Sequence, residues 1–262
     1  MYKDTETETS YKYLKIVISE LKEPICILGG WAVFFAVNKN YQKQALRVYI
    51  GSRDIDVGFN SLSSFKHATS IMENRLKFRF VSFRYYKNVH AETGKDLSDE
   101  ETKSMPQHMY FQMYVDPIMS YADSGLKSAL GFTPIDEPLL KPVFEDRKYG
   151  KYVKEFGRKL LLPAPEILLA TKICSSMLRD KEHKRYKDIC DITALCLFAG
   201  MPIDDIIKAV KWMDKKKAIE IMDEAGEDLN EIIKEKENDE EAAKTKERRD
   251  LFQFIKLKEE AK

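Results

Sequence analysis

Asp54 and Asp56 stand two residues apart in GSRDIDVGF (51–59), so an extended segment would carry both carboxylates on one face. Like charges placed side by side on a strand repel unless something neutralises them. A third acid, Asp116, follows the apolar–polar alternation of HMYFQMYV and precedes Pro117. Three carboxylates from two neighbouring strands would make an oxygen-rich cage suited to Mg²⁺, which keeps open positions for phosphate oxygens. Ser52, just before the pair, adds a hydroxyl that could bond a phosphate oxygen. Taken alone, the acidic pair also suits a solvated strand edge or a turn.

The elements that must position these residues follow from local patterning. Residues 10–22 read as a helix with Ser10 as N-cap and Pro24 as its stop. ICIL is a short buried strand, and Gly29-Gly30 opens the helix WAVFFAVNK, with Asn38 to Gln42 as its stop. A strand followed by glycines at a helix start brings backbone N–H groups and the positive helix end towards a bound phosphate. The same turn is also a common structural device.

The strand with Asp54 and Asp56 comes next, then a helix over SLSSFKHATSIMENRL capped within Ser61–Ser64. KFRFVSFRYYKNVH reads as one strand with a bulge near Phe80-Val81. A polar segment without periodicity (92–107) reads as a mobile hairpin loop. In the Asp116 strand Met109, Phe111, Met113 and Val115 share one face and Tyr110, Gln112, Tyr114 and Asp116 the other. Pro117 cannot donate to a ladder, so this strand is expected to end after Asp116.

Loops and short edge strands are expected from Pro134 to Tyr152, and KYVKEFGRKLLL as a last extended segment. Past Pro163 the pattern turns helical: residues 164–180, 184–200 with Gly200 as a C-terminal stop, 203–222 and the Lys/Glu-rich end. The expected architecture is α+β, a mixed sheet with flanking helices over 1–162 and a helical domain over 163–262.

The order Gly29-Gly30, helix, GSRDID in a strand and a later single Asp resembles the nucleotidyltransferase fold of the DNA polymerase beta type. The helical part resembles the AbiEii-like, toxin-associated branch. Its lysine after a Pro-Glu helix start is matched by Lys172 after Pro165-Glu166, and its Arg/Lys-x-Lys-Asp-x-x-Asp stretch by Arg185, Lys187, Asp188 and Asp191. The resemblance spans about residues 25–200. Its distance from glycine pair to acidic pair is longer than is usual in the superfamily.

That resemblance implies transfer of an NMP from an NTP to a hydroxyl acceptor (RNA, a protein or a small molecule). Two Mg²⁺ ions would be held by Asp54, Asp56 and Asp116. Gly29, Gly30, Ser52, Lys172, Lys187 and Asp188 would contact the nucleotide, and a toxin-like role with a cognate antitoxin is implied. The alternatives are a non-catalytic nucleotide- or RNA-binding module, or a phosphohydrolase using the same carboxylates on water.

Composition narrows the classes. Of the 262 residues, 44 % are hydrophobic and 33 % charged, a globular balance, and the net charge of +1 gives no overall pull to nucleic acid or membrane. Locally, Lys141 to Lys187 holds 13 Lys/Arg against 6 Asp/Glu, which suits a polyanion or a solvated helix face. There is neither GxxxxGK[ST] nor GxGxxG. The four cysteines show no CxxC spacing, so free thiols are expected, and with four histidines no nucleophilic triad stands out. A polar, acidic start and short apolar runs predict a cytoplasmic chain without a membrane span.

Overall fold

The computed structural model describes residues 4–121, 124–176 and 178–202. The helices expected over 203–222 and at the Lys/Glu-rich end lie outside them. The described chain is α+β, with a mixed sheet and helices.

Helix α1 (Asp4–Glu20) starts earlier than expected, with Asp4 and Glu6 in its first turn facing the positive helix end. Ser10 is therefore not a cap. It is fully buried inside the helix, where its Oγ accepts from Trp31 Nε1 at 3.1 Å. Tyr13, Leu14, Val17 and Ile18 form the buried stripe, and each such apolar side chain contributes about 1.5–3 kcal/mol. At the far end Arg158 donates to the carbonyls of Ser19 (3.2 Å) and Leu21 (2.6 Å) and pairs with Glu23 at 3.1 Å. Arg158→Met is expected to cost about 1 kcal/mol in urea unfolding, the worth of a last-turn cation with its bonds.

The chain continues through β1 (Ile25–Ile27), α2 (Gly29–Ala45), β2 (Ile55–Phe59) and α3 (Leu62–Ser70). Helix α2 runs through Asn38 and Asn40 rather than stopping there. Asn38 Oδ1 accepts from the Tyr49 backbone N–H, and Asn40 Nδ2 donates to the Phe198 carbonyl. Tertiary partners thus keep in the helix two residues that favour caps when isolated. Ser61 caps α3 as expected, its Oγ accepting from Ser64 N–H, and a single π-helical turn, Ile71–Arg75, extends it.

KFRFVSFRYYKNVH is not one bulged strand. It is a hairpin of β3 (Arg79–Val81) and β4 (Arg84–His90), pairing Val81 with Arg84 across Ser82-Phe83. Ser82 takes φ +60, a turn position where glycine is usual, which is why the turn was hard to read. The polar segment that follows is structured too: β5 (Asp96–Leu97), then α4 (Asp99–Lys103) behind a full capping box between Ser98 and Glu101.

Strand β6 (Tyr110–Met119) runs straight through Pro117. The β4 ladder on its flank ends at Val115, and that of β7 (Ile135–Asp136) begins only at Ile118. No strand on that side needs the missing proline N–H. Helices α5 (Ser124–Leu130) and α6 (Leu140–Glu145) precede β8 (Gly150–Glu155) and β9 (Arg158–Pro163). These last two strands form a hairpin, where one extended segment was expected; Phe156 (φ +53) and Gly157 (φ +73) make its turn. The sheet runs β3-β4-β6-β2-β1-β9-β8, with β5 beside β4 and β7 beside β6. The β2–β6 and β1–β9 pairs are parallel and β1–β2 and β4–β6 antiparallel.

By contacts the chain divides into two units. One holds Tyr2–Ala32 and Ile50–Ala164, hence the sheet; the other holds Val33–Tyr49 and the chain from Pro165 onward. In the second, α7 (Pro165–Ser176) and α8 (Glu182–Phe198) pack together. Pro165 at its first position suits the start of α7, and Gly200 at φ +67 follows the end of α8 as expected. Tyr41 sits edge-on to Tyr49 (5.2 Å) and to Phe198 (5.1 Å). Cys26 and Cys196 are buried, Cys174 and Cys190 are partly exposed, and none of the four is in a disulfide.

Candidate active site

In the sheet unit, parallel pairing sets Asp56 of β2 directly beside Asp116 of β6. Asp54 lies just before β2 in a bend, not in the strand itself. Gly51 is what lets this approach segment lie close: a Cβ there would come within 2.5 Å of the Trp31 ring. Ser52 is buried in the same approach.

The three carboxylates meet at a residue the sequence reading did not single out. Arg84, first residue of β4, binds both oxygens of Asp116: Nε to Oδ1 at 2.6 Å and Nη2 to Oδ2 at 2.7 Å. Its Nη2 also lies 3.5 Å from Asp54 Oδ2, and its guanidinium sits 3.9 Å from the Tyr114 ring centroid. Burial works against its charge, but Asp116, Asp54 and Asp56 outweigh that and leave its pKa raised. Arg53 adds a second cation, Nε 3.7 Å from Asp54 Oδ1. The readable signal was parity: once β3 and β4 form a hairpin, Arg84 falls beside Asp116 and Tyr86 pairs with Tyr114.

Gly29 touches the site through the start of α2. It has φ +57, and a Cβ there would fall 1.8 Å from Asp56 Oδ2. The Asp56 carboxylate therefore lies against the positive end of the helix that Gly29 and Gly30 open, an electrostatically favourable place for it. Gly29→Ala is expected to cost at least about 1 kcal/mol from the left-handed backbone alone and to push Asp56 aside. A thermal melt of a pure sample checks it, with a loss of about 2–4 °C or more for a domain of this size.

The remaining predicted residues gather in the helical unit. Lys172 Nζ pairs with Asp188 Oδ1 at 2.8 Å and Asp191 Oδ2 at 2.7 Å. Lys187 pairs with Asp191, Arg179 with Asp188 at 2.7 Å, and Tyr49 donates to Asp191 Oδ1 at 2.8 Å. Lys172, Lys187, Asp188 and Asp191 are all buried. Burial opposes the Lys172 charge, but the two aspartates hold its pKa raised. Lys187 ends lowered, because burial and the Lys172 charge outweigh Asp191. Against the effect of burial, Lys172 and Arg179 hold Asp188 below the usual carboxylate range, and Lys172 and Lys187 do the same for Asp191.

No family model and no curated protein matches the chain. Among solved structures it is similar to an antigenic nucleotidyltransferase-like protein from Paracoccidioides brasiliensis, with 14 % identity over 74 % of this chain and 75 % of that one, TM-score 0.36.

A carboxylate set of this kind has the right donor chemistry for Mg²⁺. Its arrangement does not, since both Asp116 oxygens are taken by Arg84. Among the described residues no group of three His, Cys, Asp or Glu side chains is placed to hold a metal ion. Nor is any described helix long and apolar enough to cross a membrane.

Proposed function

We propose that the chain is a nucleotidyltransferase that moves an NMP from an NTP to a hydroxyl acceptor, with Asp54, Asp56 and Asp116 at its centre. The observation that carries this reading is the pairing of Asp56 with Asp116 across parallel strands, with Asp54 reaching the same guanidinium. Three acids focused on one point create a field that a neutral or structural site would avoid, and a phosphate-transfer site needs it to gather cations.

The chain's own groups would then divide the work. Gly29 and Gly30 open α2, whose N-terminal end favours negative charge, and are proposed to contact the nucleotide there. Arg84 and Arg53 carry the fixed positive charge of the site, and Ser52 supplies a hydroxyl. Lys172, Lys187 and Asp188 are proposed as further nucleotide-contacting residues.

The test is incubation with each α-labelled NTP, Mg²⁺ and total RNA or protein. Label transferred to an acceptor is the expected result. Free NMP without labelled acceptor would make the protein a phosphohydrolase, and no turnover beside retained NTP binding would make it a binding module.

A further inference from the structure

We infer that one face of the β8–β9 hairpin is a docking site for a single-stranded nucleic acid, built from Tyr152, Lys154 and Lys159. Antiparallel register sets Lys154 directly opposite Lys159, and Tyr152, two residues along β8, falls on the same face. All three side chains are exposed, and Lys159 Nζ stands 4.1 Å from the Tyr152 ring centroid.

Like charges directly opposed across a hairpin weaken it. The other face of the same hairpin avoids this by setting Glu155 against Arg158. Among the described residues neither lysine has a carboxylate partner; Glu23, which accepts from the Lys159 backbone N–H at 3.0 Å, is paired with Arg158. Edge protection accounts for Lys154 alone: β8 has one neighbour in the sheet, and a lysine there discourages pairing with another chain. It leaves Lys159 unexplained, because β9 lies between β8 and β1, and it does not call for the exposed Tyr152 ring beside them.

Two ammonium groups on neighbouring strands, beside an exposed ring, match a phosphodiester strand: the lysines meet successive phosphates and the ring stacks a base. An acidic peptide would use the lysines and leave the ring idle. The face continues towards the carboxylates by register, since Tyr152 opposes Leu161, Leu161 pairs with Cys26, and Cys26 with Gly58, two residues from Asp56 in β2. A strand docked here lies on the sheet face of Asp56. Joined to the transfer proposed above, the docking makes the acceptor a nucleic-acid strand, and that step alone rests on the transfer reading.

Anisotropy of a labelled single-stranded RNA of about ten nucleotides, titrated with the full chain over a salt series and without NTP, tests the docking apart from transfer. Lys154→Gln combined with Lys159→Gln is expected to weaken binding about tenfold at physiological salt and to flatten the log–log salt slope by about 1.4, two contacts at about 0.7 each. The melting temperature of that variant should hold or rise, because the opposed charges are gone. Tyr152→Ala should weaken binding about fivefold or more with the slope unchanged, and Tyr152→Phe should restore it. No binding by the wild type, or an unchanged affinity and slope in the double lysine variant, would overturn the docking while leaving transfer to its own test. Full binding by Tyr152→Ala beside a weakened lysine variant would make the face a general polyanion patch and overturn the nucleic-acid reading.

Discussion

Asp191→Ala is expected to destabilise the helical unit by about 3–5 kcal/mol in urea unfolding, the largest stability effect of any single side chain described above. Asp191 is fully buried, and it holds two ammonium groups and a phenol at once: Lys172, Lys187 and Tyr49. Removing it leaves Lys187 without its carboxylate and Lys172 with only Asp188. Lys187 already has its charge disfavoured by burial, so it would be the group to lose its proton in the variant. Asp191→Asn keeps the volume and the Tyr49 hydrogen bond, and about half the loss is expected for it.

The sign of the accompanying pH dependence follows from the directions of the shifts. Asp188 and Asp191 bind protons less readily folded than unfolded. Their contribution is therefore complete above the ordinary aspartate range, about pH 4, and is lost as pH falls through their depressed values. Lys172, with its pKa raised, contributes fully below about pH 10 and loses that contribution only at higher pH. Unfolding midpoints measured from pH 7 down to pH 3 should fall in the wild type and fall less in Asp191→Asn.

Asp56→Asn carries the largest expected effect on activity. Transfer of label to the acceptor should drop about 10²–10³-fold, the scale on which losing one preorganised charged group at a reacting centre is felt. Stability should move the other way or not at all. Asp56 is half-buried beside Asp116, so neutralising it relieves like-charge repulsion in the sheet, which offsets the loss of its favourable place at the start of α2. Lost transfer with an unchanged or raised melting temperature is the signature of a functional carboxylate. Lost transfer with a melting temperature lowered as far as that of Asp191→Ala would make Asp56 a structural residue.

What the chain disclosed in advance depended on how far each residue's partners lay along it. The alternation of β6, the Ser61 cap, the glycine start of α2 and the Gly200 stop are set by neighbours within a few positions, and they were legible. Pro117 misled because its cost depends on what flanks the strand, which composition does not reveal. Arg84 stayed hidden for a related reason. The two-residue turn before it uses Ser82 at positive φ in place of glycine, and without the turn the arginine's side of the sheet is unassigned. In the helical unit, Asp188 and Asp191 could be read as a motif, whereas the Tyr49 hydroxyl that meets Asp191 comes from 142 residues away.

That last contact sets a timetable. Tyr49 and Asp191 are 142 residues apart, and both belong to the unit assembled from Val33–Tyr49 and the chain beyond Pro165. At translation rates of about 5–20 residues per second, the aspartate is made roughly 7–28 s after the tyrosine that meets it. Throughout that interval the back half of α2 is on hold, with Tyr41 and Tyr49 made and Phe198 and Asp191 still to come. A newborn chain of this protein therefore spends most of its synthesis with the back half of α2 still waiting for these partners.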